Sequence, residues 1–430
     1  MGRDSRDYGQ PNAPSERSIA SLNTIKLPPS VWLQSPALAR VVDALTREGV
    51  APRIVGGAVR DSLLGLPVSD IDLATPLLPD EVIDKLEASR IKAVPTGIEH
   101  GTVTAVADGS TYEITTLRRD VSTDGRRATV AFSDDWKEDA ARRDFTINAL
   151  YADPVSGQVY DYFSGLDDLN NRCLRFIGDP AVRISEDHLR ILRYFRFLAR
   201  FGGGTADASA LTACAAASNS LMALSRERIA SELMKILSLP DPLFAVGLMI
   251  DNGIFTAFLP ELAAEAKDSL ARLLRREAAH RFTTTPIARL LALLPHYAVI
   301  AEKVAIRLKL SNRSRSDIAD RLKNHYVHSG NIRSIAYHSS TECARDVAMM
   351  LSEDDWLSAA LAKIIGWEIP IYPIKGGDII KRGITAGPIV ARTLRLAEQR
   401  WINEDFPDQS RAIAIADQAV LEALSDIKNA

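Results

Sequence analysis

Cysteine is scarce in this chain. Cys173, Cys214 and Cys343 are its three cysteines in 430 residues, and no two stand in a CxxC spacing. That excludes a disulfide framework and a structural zinc cluster, and points to a reducing compartment. Long apolar runs are missing too. The most apolar stretch, Ile287 to Ile306, is broken by Arg289, Pro295, His296 and Glu302, so no membrane span is expected. Charge of one sign is not in excess. A formal net charge of −3 does not mark a nucleic-acid binder, although local basic patches can still bind one. Residues 1–26 lack an apolar core and hold Asp4, Asp7, Glu16, several serines and two prolines. They read as a disordered tail rather than a signal peptide. The expectation is a soluble cytoplasmic protein without a membrane partner.

A chain of this length divides into two or more domains. Strand-like signal concentrates before residue 166. Arg53–Val55 reads as a short strand running into Gly56-Gly57, and Ala58 to Leu64 as a helix stopped by Gly65 and Pro67. Ile71–Leu73 reads as a strand. Gly101–Ala107 and Thr111–Leu117, rich in Thr, Val and Ile around Asp108-Gly109, read as a hairpin. From Leu166 onward the periodicity is helical, as in Glu186–Phe201 and Arg226–Leu237. The predicted class is α+β, a mixed-sheet head followed by an all-helical body.

The segment Arg53 to Thr75, RIVGGAVRDSLLGLPVSDIDLAT, carries the chemistry. Asp70 and Asp72 are two apart, so in a strand both carboxylates leave one face. Two hard oxygen ligands on one face suit magnesium and in-line phosphoryl chemistry, while a DxD alone is equally a solvated acidic turn. Gly56-Gly57 lies between a strand and a helix start, where backbone N–H groups can approach a triphosphate or simply make a tight turn. Arg60, one turn in, offers a phosphate contact or a surface pair with Asp61. Glu113 is a mid-strand charge with Tyr112 and Ile114 on the other face, and is either a third active-site acid or an exposed strand position.

These blocks resemble the bacterial and mitochondrial tRNA nucleotidyltransferases and bacterial poly(A) polymerases of the polymerase-β superfamily. GGAVRDSLLG and DID are followed in order by YEITTLRRD, DGRRATVAFSDDW, ARRDFTINALY, YFSGLDDLNNRCLRFIGDP, EDHLRILRYFRF and RERIASEL. The resemblance implies a polymerase-β-like nucleotidyltransferase head over residues 27–165, a base-recognising helical neck over 166–240, and a tRNA-binding helical body and tail over 241–430. It implies Mg²⁺ as cofactor, ATP and CTP as substrates and a tRNA 3′ end as acceptor, with nucleotide contacts from Gly57, Arg60, Arg143, Asp187, Arg190, Arg193 and Arg196. Arg119 to Trp136 resembles a flexible loop that helps such enzymes change from CTP to ATP. Lys375-Gly376-Gly377-Asp378 and Ile384 to Pro388 resemble the glycine-proline element of the tail, though Pro388 is also plain helix capping.

The neck row has a chemistry of its own. Asp187, Arg190, Arg193 and Arg196 step by three along the predicted helix. Cytosine and adenine each present an amino donor beside a ring-nitrogen acceptor, which Asp187 and Arg190 can meet with an acceptor and a donor. Uracil and guanine present the reverse order. An ion-paired helix face is the bland alternative. Glu227, Arg228 and Glu232 read as structural, and Asp144 with Asn148 as a local hydrogen-bonded pair. Lys303 to Arg345 holds nine Lys/Arg against Asp317, Asp320 and Glu342. It reads as an RNA-backbone surface or a solvated helix face.

Rival readings remain. A bacterial poly(A) polymerase would carry a basic block after the metal strand and a basic C-terminal extension, where this chain has TGIEHGTV and QAVLEALSDIKNA. A partial enzyme adding only CC or only A differs in loop detail. A dinucleotide-binding oxidoreductase lacks its GxGxxG and βαβ series. An inactive RNA-binding scaffold would be expected to lose carboxylates that are present here.

Overall fold

A computed structural model describes residues 25–124, 127–323, 332–352, 354–385 and 387–429. Most of the expected N-terminal tail, Gly125 of the expected Asp124-Gly125 turn and Ala386 of the tail element lie outside the described residues. Ile25 and Lys26, counted with the tail, instead join the head: the Val159 N–H donates to the Ile25 carbonyl at 2.9 Å and Lys26 bridges to Gln158. The chain forms two compact units, residues 1–179 and 180–430.

The first unit is built on a seven-stranded sheet. Its strands are β1 (Arg53–Val55), β2 (Asp72–Thr75), β3 (Lys92–Gly97), β4 (Thr102–Ala107), β5 (Ser110–Thr116), β8 (Leu150–Ala152) and β9 (Val159–Asp161), in the order β3-β4-β5-β2-β1-β8-β9. Only β2 and β5 pair in parallel. The predicted β4–β5 hairpin is present, with Asp108 and Gly109 at positive φ as a two-residue primed turn requires. Helices α1 (Pro36–Leu45), α2 (Gly57–Leu63), α3 (Pro79–Ala88), α4 (Trp136–Ala141) and α5 (Gly165–Asn170) complete the unit. In α1 the apolar side chains Leu38, Val41, Val42 and Leu45 are buried and recur at helical spacing. Burial of such residues contributes about 1.5–3 kcal/mol each, which fastens the helix to the sheet.

Two expectations for this unit need correction. The stretch read as a loop from Arg119 to Trp136 is mostly a two-stranded antiparallel ribbon, β6 (Arg118–Asp124) and β7 (Arg127–Phe132), with α4 starting at Trp136. Its polar composition hides the ladder, because a two-stranded ribbon need not bury either face. The unit also runs past residue 165, taking in α5 and the segment to Asp179; Asp168, 1 % exposed, pairs there with Arg175 and accepts from the Thr146 hydroxyl at 2.6 Å.

The second unit is helical among the described residues: α6 (Pro180–Glu186), α7 (Leu189–Phe201), α8 (Ala208–Ala216), α9 (Arg226–Leu237), α10 (Leu243–Asp251), α11 (Ala266–His280), α12 (Pro286–Ala292), α13 (Ala298–Arg307), α14 (Asn312–Leu322), α15 (Ile332–His338), α16 (Thr341–Leu351), α17 (Asp354–Ile364), α18 (Gly376–Lys381), α19 (Pro388–Asn403) and α20 (Gln409–Asn429). Buried arginines join several of these. Arg289, 1 % exposed, pairs with Glu277 of α11 and donates to the Leu237 carbonyl at 2.7 Å, satisfying the end of α9. Arg276 does the same for α16 through the Met349 and Ser352 carbonyls, both at 2.7 Å. Arg321 and Asp346 form a buried pair at 2.7 Å.

These pairs change the reading of Lys303 to Arg345. Arg307 is paired with Glu261, Lys309 with Glu227, Arg321 with Asp346, Lys323 with Asp320 and Arg333 with Asp405. Most of those acids lie outside the segment, so part of its formal positive charge is matched by the fold, while Lys309 and Lys323 keep most of their side chains exposed. No helix among the described residues is long and apolar enough to cross a membrane.

Candidate active site

β1 delivers the chain into a turn at Gly56, whose φ of +70° suits glycine. The Gly56 N–H donates to the Leu150 carbonyl at 3.0 Å, and Gly57 begins α2. A Cβ on Gly56 would lie 3.6 Å from Arg143 Nη1 and 3.6 Å from the Asn148 carbonyl oxygen. The turn therefore runs directly beneath the Arg143 guanidinium.

β2 starts at Asp72, one residue later than expected, which leaves Asp70 in the approach to the strand with Ser69 Oγ donating to its Oδ2 at 2.8 Å. Asp72 is flanked by Val55 of β1 on one side and Glu113 of β5 on the other. Glu113 is exposed, while Tyr112 and Ile114 are buried on the opposite face. The carboxylates of Asp72 and Glu113 thus leave the same face of the sheet, and Asp70 adds its charge beside them.

The Asp72 carboxyl is pushed up to about 6. Crowding by surrounding head atoms is the largest cause, although the residue keeps solvent contact; repulsion from Glu113 follows, opposed by Arg143 and aided by Asp70. Such a group favours a cation beside it. Among the described residues no three acidic, histidine or cysteine side chains are gathered into a ready-made metal cluster. Two carboxylates completed by substrate phosphates are nonetheless how magnesium is commonly held, and an all-oxygen donor set fits that ion.

Arg143 Nε donates to the Tyr151 hydroxyl at 3.2 Å and Nη2 pairs with Asp139 at 3.0 Å. Burial works against its charge, but Tyr151 and Asp139 outweigh it and hold the guanidinium firmly protonated. Asn148 donates to Asp144 at 3.0 Å, the local pair expected from their spacing. Arg142 is structural, bound to Asp139 at 2.7 Å.

Arg60 corrects its sequence reading. It is 5 % exposed, donates from Nε to Asp61 at 2.8 Å and from Nη1 to Asn148 Oδ1, so its pair with Asp61 is buried rather than on the surface, and its Nη2 lies 3.7 Å from where a Cβ on Gly57 would sit. Its partners lie inside the head because α2 buries Ala58 to Ser62 without a break. Asp139 was missed altogether. Its signal was a carboxylate placed three and four residues before Arg142 and Arg143 on a short helix.

In the second unit, the helix expected over Glu186–Phe201 breaks between α6 and α7 at Asp187 and His188. Asp187 Oδ1 accepts from the Leu189 N–H at 3.1 Å, which favours a fresh helix start over continuation. Its Oδ2 accepts from Arg228 Nη2 at 2.9 Å. Arg190 pairs with Glu186 and donates to the Arg183 carbonyl at 2.6 Å. Arg196 pairs with Glu232 at 3.0 Å, and the Arg193 and Arg196 guanidinia lie 5.5 and 4.8 Å from the Phe197 ring centre. All four row members are half-buried, above the buried Ile191, Leu192, Phe195 and Leu198. Arg228 and Glu232 of α9 brace the row, which is the structural part expected of them.

A mixed sheet that sets acidic side chains beside a glycine turn and a fixed arginine defines a nucleotidyltransferase. Residues 52–175 match the family described as "Poly A polymerase head domain", and residues 207–265 that described as "Probable RNA and SrmB- binding site of polymerase A". The mitochondrial CCA tRNA nucleotidyltransferase 1 of Mus musculus is 33 % identical over 88 % of this chain and 90 % of its own length. The CCA-adding enzyme of Lactococcus lactis is 31 % identical over 90 % of this chain and 97 % of its own. The solved Bacillus stearothermophilus CCA-adding enzyme in complex with CTP superposes with a TM-score of 0.72 at 26 % identity, covering 92 % of this chain and all of that one. The chain belongs to the family of CCA-adding tRNA nucleotidyltransferases.

Proposed function

We propose that the protein adds CCA to the 3′ end of tRNA, taking nucleotides from CTP and ATP without a template and releasing pyrophosphate. The observation that carries this reading is the register of Asp72 opposite Glu113, beside the Gly56 turn and Arg143. In the reaction the RNA 3′-hydroxyl attacks the α-phosphate and the bond to pyrophosphate breaks. Asp70 and Asp72 hold Mg²⁺, with Glu113 the third acid of the face. When bound, the ion supplies charge neutralisation at the phosphates and lowers the cost of ionising the hydroxyl. Gly57 and Arg143 receive the triphosphate, and Arg60 contributes by bracing α2 against Asn148.

Asp187 accepts from the amino group of cytosine or adenine and Arg190 donates to the ring nitrogen, with Arg193 and Arg196 as further nucleotide contacts. Arg228 and Glu186 hold the two selecting side chains in advance, which a site that must reject uracil and guanine needs. The second unit divides into a neck and a tRNA-binding body and tail. A reducing cytoplasm suits the three free cysteines.

A poly(A)-adding reading draws on the name of the matched head family. The tRNA reading draws on relatives aligned over nearly the whole chain that are named for CCA addition. The test supplies single nucleotides, with Mg²⁺ or with EDTA, to labelled tRNAs ending before CCA, after C and after CC. CMP should enter only the first two, AMP only the third, and EDTA should stop both. AMP added repeatedly to all three RNAs would favour poly(A) addition, and incorporation of CMP alone or of a single AMP alone would mark a partial enzyme.

A further inference from the structure

One buried carboxylate of the head has no part in the chemistry above. Asp139 is 1 % exposed. Its Oδ1 accepts from Arg142, with Nε at 2.8 Å and Nη2 at 2.7 Å, and from the Arg118 backbone N–H at 3.3 Å. Its Oδ2 accepts from the Tyr151 hydroxyl at 2.6 Å and from Arg143 Nη2 at 3.0 Å. Both oxygens are engaged, as an interior carboxylate requires.

The consequence falls on Arg143. Tyr151 takes its Nε and Asp139 its Nη2, so Nη1 is the nitrogen that stands beside Gly56. The same guanidinium acts on Asp72. Tyr151 is itself fixed, lying across the ladder from Val55 at the entrance to the glycine turn and edge-on to Trp136 at 5.6 Å between ring centres. The Trp136 ring stacks on the Arg53 guanidinium at 4.1 Å, and Tyr160 lies 3.8 Å from the same guanidinium. Arg143 is therefore a long side chain held in one orientation by two fixed acceptors.

We propose that Asp139 is a positioning residue for nucleotidyl transfer: directly through Nη2, and through the Tyr151 hydroxyl, it locks the Arg143 guanidinium in the orientation that meets the incoming nucleoside triphosphate beside Gly56. The proposal rests on the nucleotidyl-transfer reading and on Arg143 touching the nucleotide within it. Because Oδ1 also accepts from the Arg118 N–H, the same carboxylate fastens the root of the β6–β7 ribbon to that arginine.

The test measures kcat and KM for CTP on a tRNA lacking CCA, using the full chain as wild type, Asp139→Asn, Tyr151→Phe, Arg143→Ala and the Asp139→Asn/Arg143→Ala double variant. Asp139→Asn should raise KM about tenfold, the scale of one lost charge-assisted contact, and Tyr151→Phe by less. In the double variant, Asp139→Asn should add less than about twofold to the effect of Arg143→Ala, since both changes act through one guanidinium. Where turnover is too slow, equilibrium binding of CTP reads the same ratios. KM is independent of the folded fraction, so poor folding lowers kcat alone. An unchanged KM in Asp139→Asn and Tyr151→Phe, or effects that multiply in the double variant, overturns the proposal while leaving the transfer reading intact. A wild-type protein that incorporates nothing overturns the transfer reading, and the proposal with it.

Discussion

Asp72 and Glu113 face each other as direct partners across the parallel β2–β5 ladder, with both carboxylates on the open side of the sheet. Two like charges in that register repel, and a site keeps them together only where a cation or a substrate repays the cost. Asp72→Asn should therefore cut CMP incorporation about a thousandfold, the equivalent of several kcal/mol of charge stabilisation. Glu113→Gln should cost about tenfold or more by the same scale. Initial rates on a tRNA lacking CCA decide it; wild-type activity in Asp72→Asn would remove the site.

Arg60 is expected to matter for stability before it matters for chemistry. Arg60→Met removes the cation paired with the buried Asp61 and the donor to Asn148 Oδ1. Breaking a buried pair from one side costs about 3–5 kcal/mol, so the urea midpoint should fall clearly. A variant of unchanged stability that binds CTP weakly would return Arg60 to the role of a phosphate contact.

Asp139 gives a signed pH dependence. Its carboxyl is held at about 2, below its ordinary value; burial pushes it up, but Arg143, Arg142 and the Tyr151 hydroxyl outweigh burial. A depressed carboxyl contributes stability that is whole above the unfolded pKa of about 4 and is lost as pH falls toward 2. The gap in urea midpoint between wild type and Asp139→Asn should be constant from about pH 7 to 5 and narrow below about pH 4. A gap that narrows as pH rises would contradict the assignment.

Arg228 should act on fidelity. It holds Oδ2 of Asp187 at 2.9 Å, and Asp187 is the carboxylate that selects an amino group in the proposed reading. Arg228→Ala should lower the preference for CTP over UTP about tenfold, and Asp187→Ala should lower it further. Competition between the two nucleotides on one tRNA measures this. Slower addition at unchanged preference would make Arg228 a support of the neck alone.

What the sequence made legible was local. The Asp70-Asp72 pair, the Gly56-Gly57 turn and the β4–β5 hairpin can each be read from a few neighbouring residues, and Glu113 from alternation within one strand. What it hid was set by partners far along the chain. Asp139 draws its meaning from Tyr151 and the Arg118 backbone. The burial of the Arg60–Asp61 pair was hidden because a short helix buried along most of its length cannot be told from an exposed one by spacing. Four cations of the basic stretch from Lys303 pair with Glu227, Glu261, Asp346 and Asp405, none of them within it. The break at Asp187 was hidden because one Asx-type hydrogen bond overrides an otherwise continuous helical pattern.

The most direct measurement is the length and sequence of the product made on a tRNA that ends before CCA, with all four nucleoside triphosphates and Mg²⁺ present. The expected product is longer by three nucleotides, reads CCA, and grows no further. A ladder of added A, a product that stops after CC, or free use of UTP and GTP would contradict CCA addition by this chain.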